Sequence, residues 1–376
     1  MAVTVAVVKE SAPGERRVAL TPEVARKLRG AGAQVLLAQG AGAAAGFADE
    51  AYGDSVEIVA GNEQALARAD LVFAVQPPEL AQIAQLREGA VWLGLLAPHL
   101  NPERVAALRD RKISAFAMEL LPRTTRAQAM DVLSSQAGVA GYKAVLIAAT
   151  ASPKFFPMLT TAAGTIRPAK VLVIGAGVAG LQAIATARRL GAQVEGFDVR
   201  PEVKEQIQSL GAKFLDLGVS AAGSGGYARE LSPEERAEQQ RRLAEHIKGV
   251  DVIVTTAAVP GRAAPRIITR GMVEGMRRGS VIVDLAAESG GNCEATVAGE
   301  TVDVGGVSVI GPTDLASMAA LNASEMYARN LNNFAALMLK DGALTLDFED
   351  DLIAGACLTH GGEIRHAPTR TLIDKG

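Results

Sequence analysis

A chain of 376 residues is too long for one ordinary core, so two domains of roughly 150–200 residues are expected. A hydrophobic content of 49% with 21% charged residues excludes a disordered chain. A formal net charge of −3 leaves no basic footprint, which argues against nucleic acid as a partner.

Residues 3–8 read as a short buried strand. The segment from Met1 to Lys9 has no basic start, so no signal peptide is expected. Thr21-Pro22 opens a helix, with Thr as N-cap and Pro at the first helical position. Residues 34–38 and 70–75 read as further strands, and Asn101-Pro102 repeats the cap signal. This βαβ rhythm through about Phe116 implies a parallel sheet with helices on its faces. Residues 134–151 read as a long apolar helix linking two domains. A second series begins at Lys170: strand 171–174, a glycine-rich turn, helix 181–190 and strand 193–197. A polar Gly/Ser-rich stretch from Ser220 to Tyr227 follows. Ser232, Pro233 and Glu235 then form a capping box at a helix start. Strands 250–254, 280–284 and 307–310 complete the series, and a helical tail runs from residue 319 to about 340. The fold class is therefore α/β, with two Rossmann-like doubly wound parallel-sheet domains separated by a cleft. The tail is expected to pack back on the first domain. That makes residues 1–134 plus 320–376 one domain and 135–319 the other.

The loop Gly175-Ala176-Gly177-Val178-Ala179-Gly180 carries a GxGxxG pattern, weak alone but here in the right context. Four apolar, β-favouring residues precede it, a helix follows, and Asp198 ends the next strand 18 residues after Gly180. Gly175 allows the tight turn, Gly177 lets backbone N–H groups approach a pyrophosphate, and Gly180 permits close helix–strand packing. The helix N-terminus favours phosphate. Asp198 is expected to accept hydrogen bonds from adenosine ribose hydroxyls and to repel a 2′-phosphate, which selects NAD(H) over NADP(H). Val199 and Arg200 follow it, and Arg200 is the contrary signal, since an Arg there accommodates a 2′-phosphate. The bland alternative is a glycine turn that binds nothing. Thr255, Thr256, Ala257 and Ala258 lie at the carboxyl end of a later strand, where small residues line a ligand crevice or simply pack.

The two cysteines, Cys293 and Cys357, form neither a disulfide framework nor a metal cluster, which points to a reducing compartment. His99, His246, His360 and His366 have no metal-ligand spacing, so no metal is expected. His246, among Arg and Glu residues, reads as solvated, and Trp92 as core. No apolar run reaches the roughly 18 residues of a membrane span. The chain is expected to be soluble, without direct membrane insertion, though docking onto a membrane protein stays open.

The runs FFPMLTTAAGTI (Phe155 to Ile166) and PAKVLVIGAGVAGLQ (Pro168 to Gln182), with RVALTP from Arg17 and DFED ending at Asp350, strongly resemble the NAD(H)-binding subunit of proton-translocating NAD(P) transhydrogenase. The resemblance covers essentially the whole chain. It implies docking on membrane-embedded subunits that carry the proton channel and an NADP(H)-binding domain, a homodimer, and a cytoplasmic, peripheral place on the inner face of the plasma membrane. With no transmembrane helices before Gly376, the chain is expected to be the separate-subunit form. The family's Arg–Gln–Asp loop matches Arg123, Gln128 and Asp131, with Thr124, Thr125 and Arg126 between and Ser134 beyond. Its implied work is positioning, because hydride passing directly between two nicotinamides needs no general acid or base. Gln128 is expected to bridge the two nucleotides, Ser134 to bond the carboxamide, and Asp131 to pair with Arg123. The Gly/Ser-rich stretch matches the family's mobile loop, with Gly226 and Tyr227 closing over NAD(H).

The same fold serves alanine dehydrogenase, the alternative reading: a soluble NAD-dependent oxidoreductase acting on an amino acid. Three positions discriminate. Ala97 stands where that enzyme has a catalytic His, with His99 out of register; Gln76 stands for a substrate-binding Lys, and Glu288 for a second catalytic Asp. Arg17 is shared.

Overall fold

A computed structural model describes residues 2–218, 220–221, 229, 231–258, 263–340 and 342–375. Six short strands open the chain: β1 (Thr4–Val7), β2 (Gln34–Ala38), β3 (Glu57–Val59), β4 (Leu71–Phe73), β5 (Val91–Gly94) and β6 (Ser114–Ala117). All their pairings are parallel. Between them run α1 (Pro22–Gly30), α2 (Asn62–Arg68), α3 (Leu80–Gln85) and α4 (Pro102–Asp110). Alternate side chains of these strands enter two separate cores, one holding Val5, Val7, Leu37, Phe73 and Phe116, the other Ala6, Leu36, Val72, Trp92 and Ala115. Burial on both faces explains why the strands read as unbroken apolar runs. Thr21 caps α1 by accepting from Val24 N–H at 3.4 Å. Asn101 sits at the start of α4, but its amide donates instead to Leu96 O and Ala97 O, at 3.3 and 3.1 Å. The turn that precedes the helix offers it nearer acceptors.

The chain divides into two units, Met1–Gln136 with Ser317–Gly376, and Ala137–Ala316. Helix α5 (Val132–Ala151) runs from the first into the second. By length and composition alone this 20-residue helix is long and apolar enough to cross a membrane. In the second unit, however, Ala144, Val145 and Ala148 are core residues. A Cβ on Gly141 would lie 2.1 Å from Ala179 O. A small residue is needed there for close helix packing, as in a core helix.

A hairpin of β7 (Leu159–Thr161) and β8 (Gly164–Ile166) follows, exposed at every position. The second sheet is built from β9 (Lys170–Ile174), β10 (Gln193–Phe197), β11 (Lys213–Phe214), β12 (Val252–Thr255), β13 (Val281–Asp284), β14 (Thr301–Val304) and β15 (Val307–Ile310), in the order β11-β10-β9-β12-β13-β15-β14. Only β14 is antiparallel. The helices are α6 (Val178–Arg189), α7 (Lys204–Ser209), α8 (Pro233–Ile247) and α9 (Arg270–Glu274). Ser232 and Glu235 form the expected capping box on α8.

The chain then returns to the first unit as α10 (Ala320–Ala335). The helix expected to reach residue 340 stops at Ala335, because β16 (Leu339–Lys340) pairs with β17 (Ala343–Leu344) around Gly342 at φ +72°. An Asp-Gly pair is a hairpin signal as well as a helix stop. After α11 (Asp351–Ala356), β18 (Cys357–His360) and β19 (Glu363–Ile364) extend the first sheet antiparallel beyond β6, before α12 (Ala367–Lys375). The first sheet reads β19-β18-β6-β5-β4-β1-β2-β3. Counting the parallel strands alone, which leaves out β14, both units therefore contain the 3-2-1-4-5-6 strand order of the Rossmann fold, and each has a switch point beside its first strand.

The glycine turn of the second unit yields a paired prediction. A Cβ on Gly180 would lie 1.8 Å from Gly175 O, whereas one on Gly177 meets nothing within 4 Å. Gly180→Ala is expected to cost about 3 kcal/mol or more in urea denaturation, and Gly177→Ala less than about 1 kcal/mol. Equal losses would refute the packing role of Gly180.

Candidate functional site

The second unit's switch point lies between β9 and β12, and its turn has the shape the glycines dictate. Gly175 takes φ +94° and donates to Phe197 O at 2.8 Å. Gly177 is the residue before α6, with no side-chain cap on the helix. The first N–H groups of α6 thus have no side chain over them, and Val178 beside them is 47% exposed. This is the arrangement that receives phosphate.

Asp198, 9% exposed at the end of β10, organises the turn. Its carboxylate accepts from Ala176 N at 2.7 Å, from Arg200 N at 2.9 Å, and from Arg200 Nε and Nη2 at 3.0 and 2.7 Å. The Arg that the sequence left open as a 2′-phosphate receptor therefore lies on the carboxylate. A 2′-phosphate at this corner would have to separate a largely buried ion pair and meet Asp198 directly. Val199, between them, is half-buried.

Across the switch point, Thr255 corrects the sequence reading. It is fully buried, and its hydroxyl donates to Asp284 Oδ1 at 2.9 Å. Parallel pairing places it opposite Asp284 on β13, so it serves the sheet rather than a crevice. Thr256, half-buried, takes the facing position and donates to Gly175 O at 3.1 Å. Ala257 is half-buried and Ala258 exposed. The sequence reading missed Asp284 and Asn292. Asn292 is fully buried and its amide grips Ala257 N, Ala257 O and Pro265 O, at 3.0, 2.7 and 2.9 Å. Gly226 and Tyr227 lie outside the described residues.

The remaining candidates belong to the first unit. A 3-10 turn (Thr125–Met130) is anchored by buried Ala127 and Met130, leaving Arg123, Thr124, Thr125, Arg126 and Gln128 exposed. The Gln128 side chain makes no hydrogen bond among the described residues. The Asp131 oxygens accept from Ser134 N at 2.9 Å and Ser134 Oγ at 2.5 Å. The carboxylate is thus the N-cap of α5, satisfying a helix N–H that would otherwise lack a partner. Ser134 Oγ keeps its lone pairs for an incoming N–H. Arg126 is also corrected: its guanidinium bonds Asp350, and Asp351 at 2.7 Å, tying the turn to the start of α11. That role is structural.

The positions that discriminate alanine dehydrogenase lie mainly at the first unit's own switch point, between β1 and β4. Arg17 is buried and holds Glu15 by Nε and Nη2, at 2.8 and 2.6 Å. Its Nη1 donates to Gln136 at 2.9 Å. Gln76 Nε2 also donates to Glu15, at 2.6 Å, as does Ser317 Oγ at 2.6 Å. Burial opposes ionisation of Glu15, but the Arg17 guanidinium outweighs it and holds the carboxyl at about 2. Glu10 accepts from Val75 N at 2.6 Å, and burial lifts its carboxyl to about 7. Ala97 stands at φ +40°, held through its N–H by Glu119 at 2.5 Å, and His99 is exposed. Glu288, in the second unit, is exposed.

Among the described residues no group of His, Cys, Asp and Glu is placed to hold a metal. His246, expected to be solvated, bonds Glu195 at 2.6 Å. Trp92 is core, as expected.

Residues 6–140 match the N-terminal domain, and residues 144–367 the C-terminal domain, of the family described as alanine dehydrogenase/PNT. An NAD(P) transhydrogenase alpha-subunit chain of Rhodospirillum rubrum is 46% identical over 374 residues, covering 96% of this chain and 97% of that one. The crystal structure of transhydrogenase from Sinorhizobium meliloti superposes with a TM-score of 0.87 at 45% identity, over 96% of this chain and 99% of that chain. An L-alanine dehydrogenase structure gives 0.81 at 26% identity, over 99% of each chain.

Glu10 predicts a pH dependence. A carboxyl raised from 4.5 to about 7 by folding contributes stability below pH 4.5 that is lost as pH rises through 7. At about 1.4 kcal/mol per unit the loss is on the order of 3 kcal/mol. Glu15 acts oppositely and only in acid, below 4.5. In urea denaturation between pH 5 and 8, Glu10→Gln should abolish most of the fall shown by the parent. Parallel profiles would contradict the buried-acid assignment.

Proposed function

Because the chain belongs to the alanine dehydrogenase/PNT family and matches NAD(P) transhydrogenase alpha subunits along nearly its whole length, we propose that it exchanges hydride between NAD(H) bound on its own second unit and NADP(H) bound on a partner subunit. The exchange is coupled to proton translocation in a membrane complex. The glycine turn carries this reading: Gly177 leaves an approach that any side chain would narrow, the α6 N-terminus faces it, and Asp198 and Arg200 close the corner to a 2′-phosphate. The pyrophosphate lies on the turn and the first N–H groups of α6. The ribose hydroxyls lie on Asp198, with Val199, Ala257 and Ala258 beside them. When bound, the nicotinamide supplies a ring carbon that gives or takes a hydride.

The chain's own contribution is then positioning. Gln128, exposed on an anchored turn with its amide unspent, bridges the two nucleotides. Asp131 fixes Ser134, whose hydroxyl accepts from the carboxamide. Arg123, Thr124 and Thr125 line the same turn, and Gly226 with Tyr227 closes over the nucleotide. No residue need move a substrate proton. The alanine-dehydrogenase reading is disfavoured by Arg17, whose two-pronged face is spent on Glu15, and by Ala97, which has no proton to give. The partners are membrane-embedded subunits at the cytoplasmic face of the plasma membrane, together with a second copy of this chain. Support for the copy is the β7–β8 hairpin, which is exposed throughout and includes Leu159 and Ile166 at 39% and 42%. A lone two-stranded hairpin is marginal in water.

Mixing the chain with an NADP(H)-binding partner domain should give direct hydride exchange between bound nucleotides. Robust turnover of alanine with NAD⁺ by the chain alone would instead establish the dehydrogenase. Gln128→Asn should slow exchange on the order of 100-fold, the cost of a displaced reacting group, while NADH affinity stays within about 3-fold. An effect confined to affinity would contradict the bridge. In sedimentation, the parent should run as a dimer and the Leu159→Asp/Ile166→Asp variant as a monomer that still binds NADH. A dimeric variant would remove the hairpin from the interface.

A further inference from the structure

The nucleotide reading sets Ala257 and Ala258 on the other wall of the same switch point, opposite the glycine turn. Residues 256–258 leave the sheet after β12 and depend on a side chain from elsewhere for their shape. Thr256 reaches across to Gly175 O, and Ala257 N would lie 3.1 Å from a Cβ on Gly175. The segment therefore abuts the turn closely, and a small displacement of it changes the space beside the turn.

Asn292 holds it. One amide accepts from Ala257 N and donates to Ala257 O, as a neighbouring strand would, and donates also to Pro265 O. These two attachment points bracket residues 258–264 in the chain. Asn292 is itself fixed by Asp284, fully buried at the end of β13. The Asp284 carboxylate accepts from Asn292 N at 2.7 Å and Cys293 N at 3.0 Å. It also accepts from Ala286 N at 3.0 Å and Thr296 Oγ1 at 2.6 Å, besides Thr255. Five donors on one buried carboxylate make a rigid post. Gly291, at φ +81°, brings the chain close enough: a Cβ there would lie 2.9 Å from Asp284 Oδ2. Among the described residues this network reaches the glycine turn through Thr255-Thr256-Ala257.

We infer that Asn292 is a positioning residue for the nucleotide site, setting NAD(H) affinity by holding residues 256–258 against the glycine turn without contacting the nucleotide. This rests on the nucleotide reading of the turn. The amide is required in both senses, one acceptor and two donors, so no other side chain of its size substitutes.

The test is NADH titration of the full chain, by nucleotide fluorescence, for the parent, Asn292→Asp and Val307→Ala. Val307 is buried at the amino end of β15, away from the carboxyl ends of the strands, so its truncation lowers the melting temperature without reaching Ala257. Asn292→Asp puts a carboxylate against two carbonyls. The dissociation constant should rise at least about 10-fold at pH 8 and by less at pH 6, where a protonated carboxyl donates again. Val307→Ala should leave affinity unchanged at a comparable loss of melting temperature. Unchanged affinity in Asn292→Asp, or affinity that follows melting temperature equally in both variants, overturns the positioning role. A parent chain that fails to bind NADH overturns the nucleotide reading, and the inference with it.

Discussion

A buried carboxylate at the end of a strand governs the second unit. Asp198 gives up solvent, which costs several kcal/mol unless donors replace the water. The donors it finds are the backbone of the glycine turn and both the backbone and guanidinium of Arg200. Because Ala176 N–H is committed to Asp198, the turn is held before any ligand arrives. Gly175 takes the positive φ that this path needs, and Gly180 admits Gly175 O against α6. One carboxylate thus links turn shape, helix placement and the sign of charge at this corner.

The first unit shows that this outcome is not a property of the fold. It has the same 3-2-1-4-5-6 strand order and its own switch point, yet there the chain supplies both charges. Glu10 accepts from the backbone after β4, and Glu15 takes the guanidinium of Arg17 and the amide of Gln76. The Arg17 guanidinium, which could take a small carboxylate, holds one from the chain. Function follows the side chains at the switch point rather than the sheet that presents them. The alanine-dehydrogenase likeness is strong in backbone and weak in these groups.

Local signals are the readable ones. Strands Gln34–Ala38, Gln193–Phe197 and Val307–Ile310 read to the residue, because apolar runs end at polar or glycine boundaries. Thr21 and Ser232 announce their helices through chemistry that operates within three residues. Asp131 before Ser134 is an equally local cap. Long-range pairing is illegible. Nothing near Arg126 points to Asp350, 224 residues away, and nothing in β18 announces that it runs antiparallel beside β6. Thr255 and Thr256 are adjacent and chemically alike, but strand alternation sends one hydroxyl into the sheet and the other toward the turn. Asn292 carries no signal at all, since its partners are backbone atoms that only the fold brings near.

The central claim is that Asp198, paired with Arg200, makes this a site for NAD(H). Direct calorimetric titration of the isolated chain with NADH and with NADPH at one ionic strength tests it. Binding of NADH with NADPH weaker by at least about 10-fold, the cost of a 2′-phosphate against a carboxylate, is the predicted result. Equal affinity, or preference for NADPH, would mean that Arg200 leaves the carboxylate to receive the phosphate, and would contradict the account.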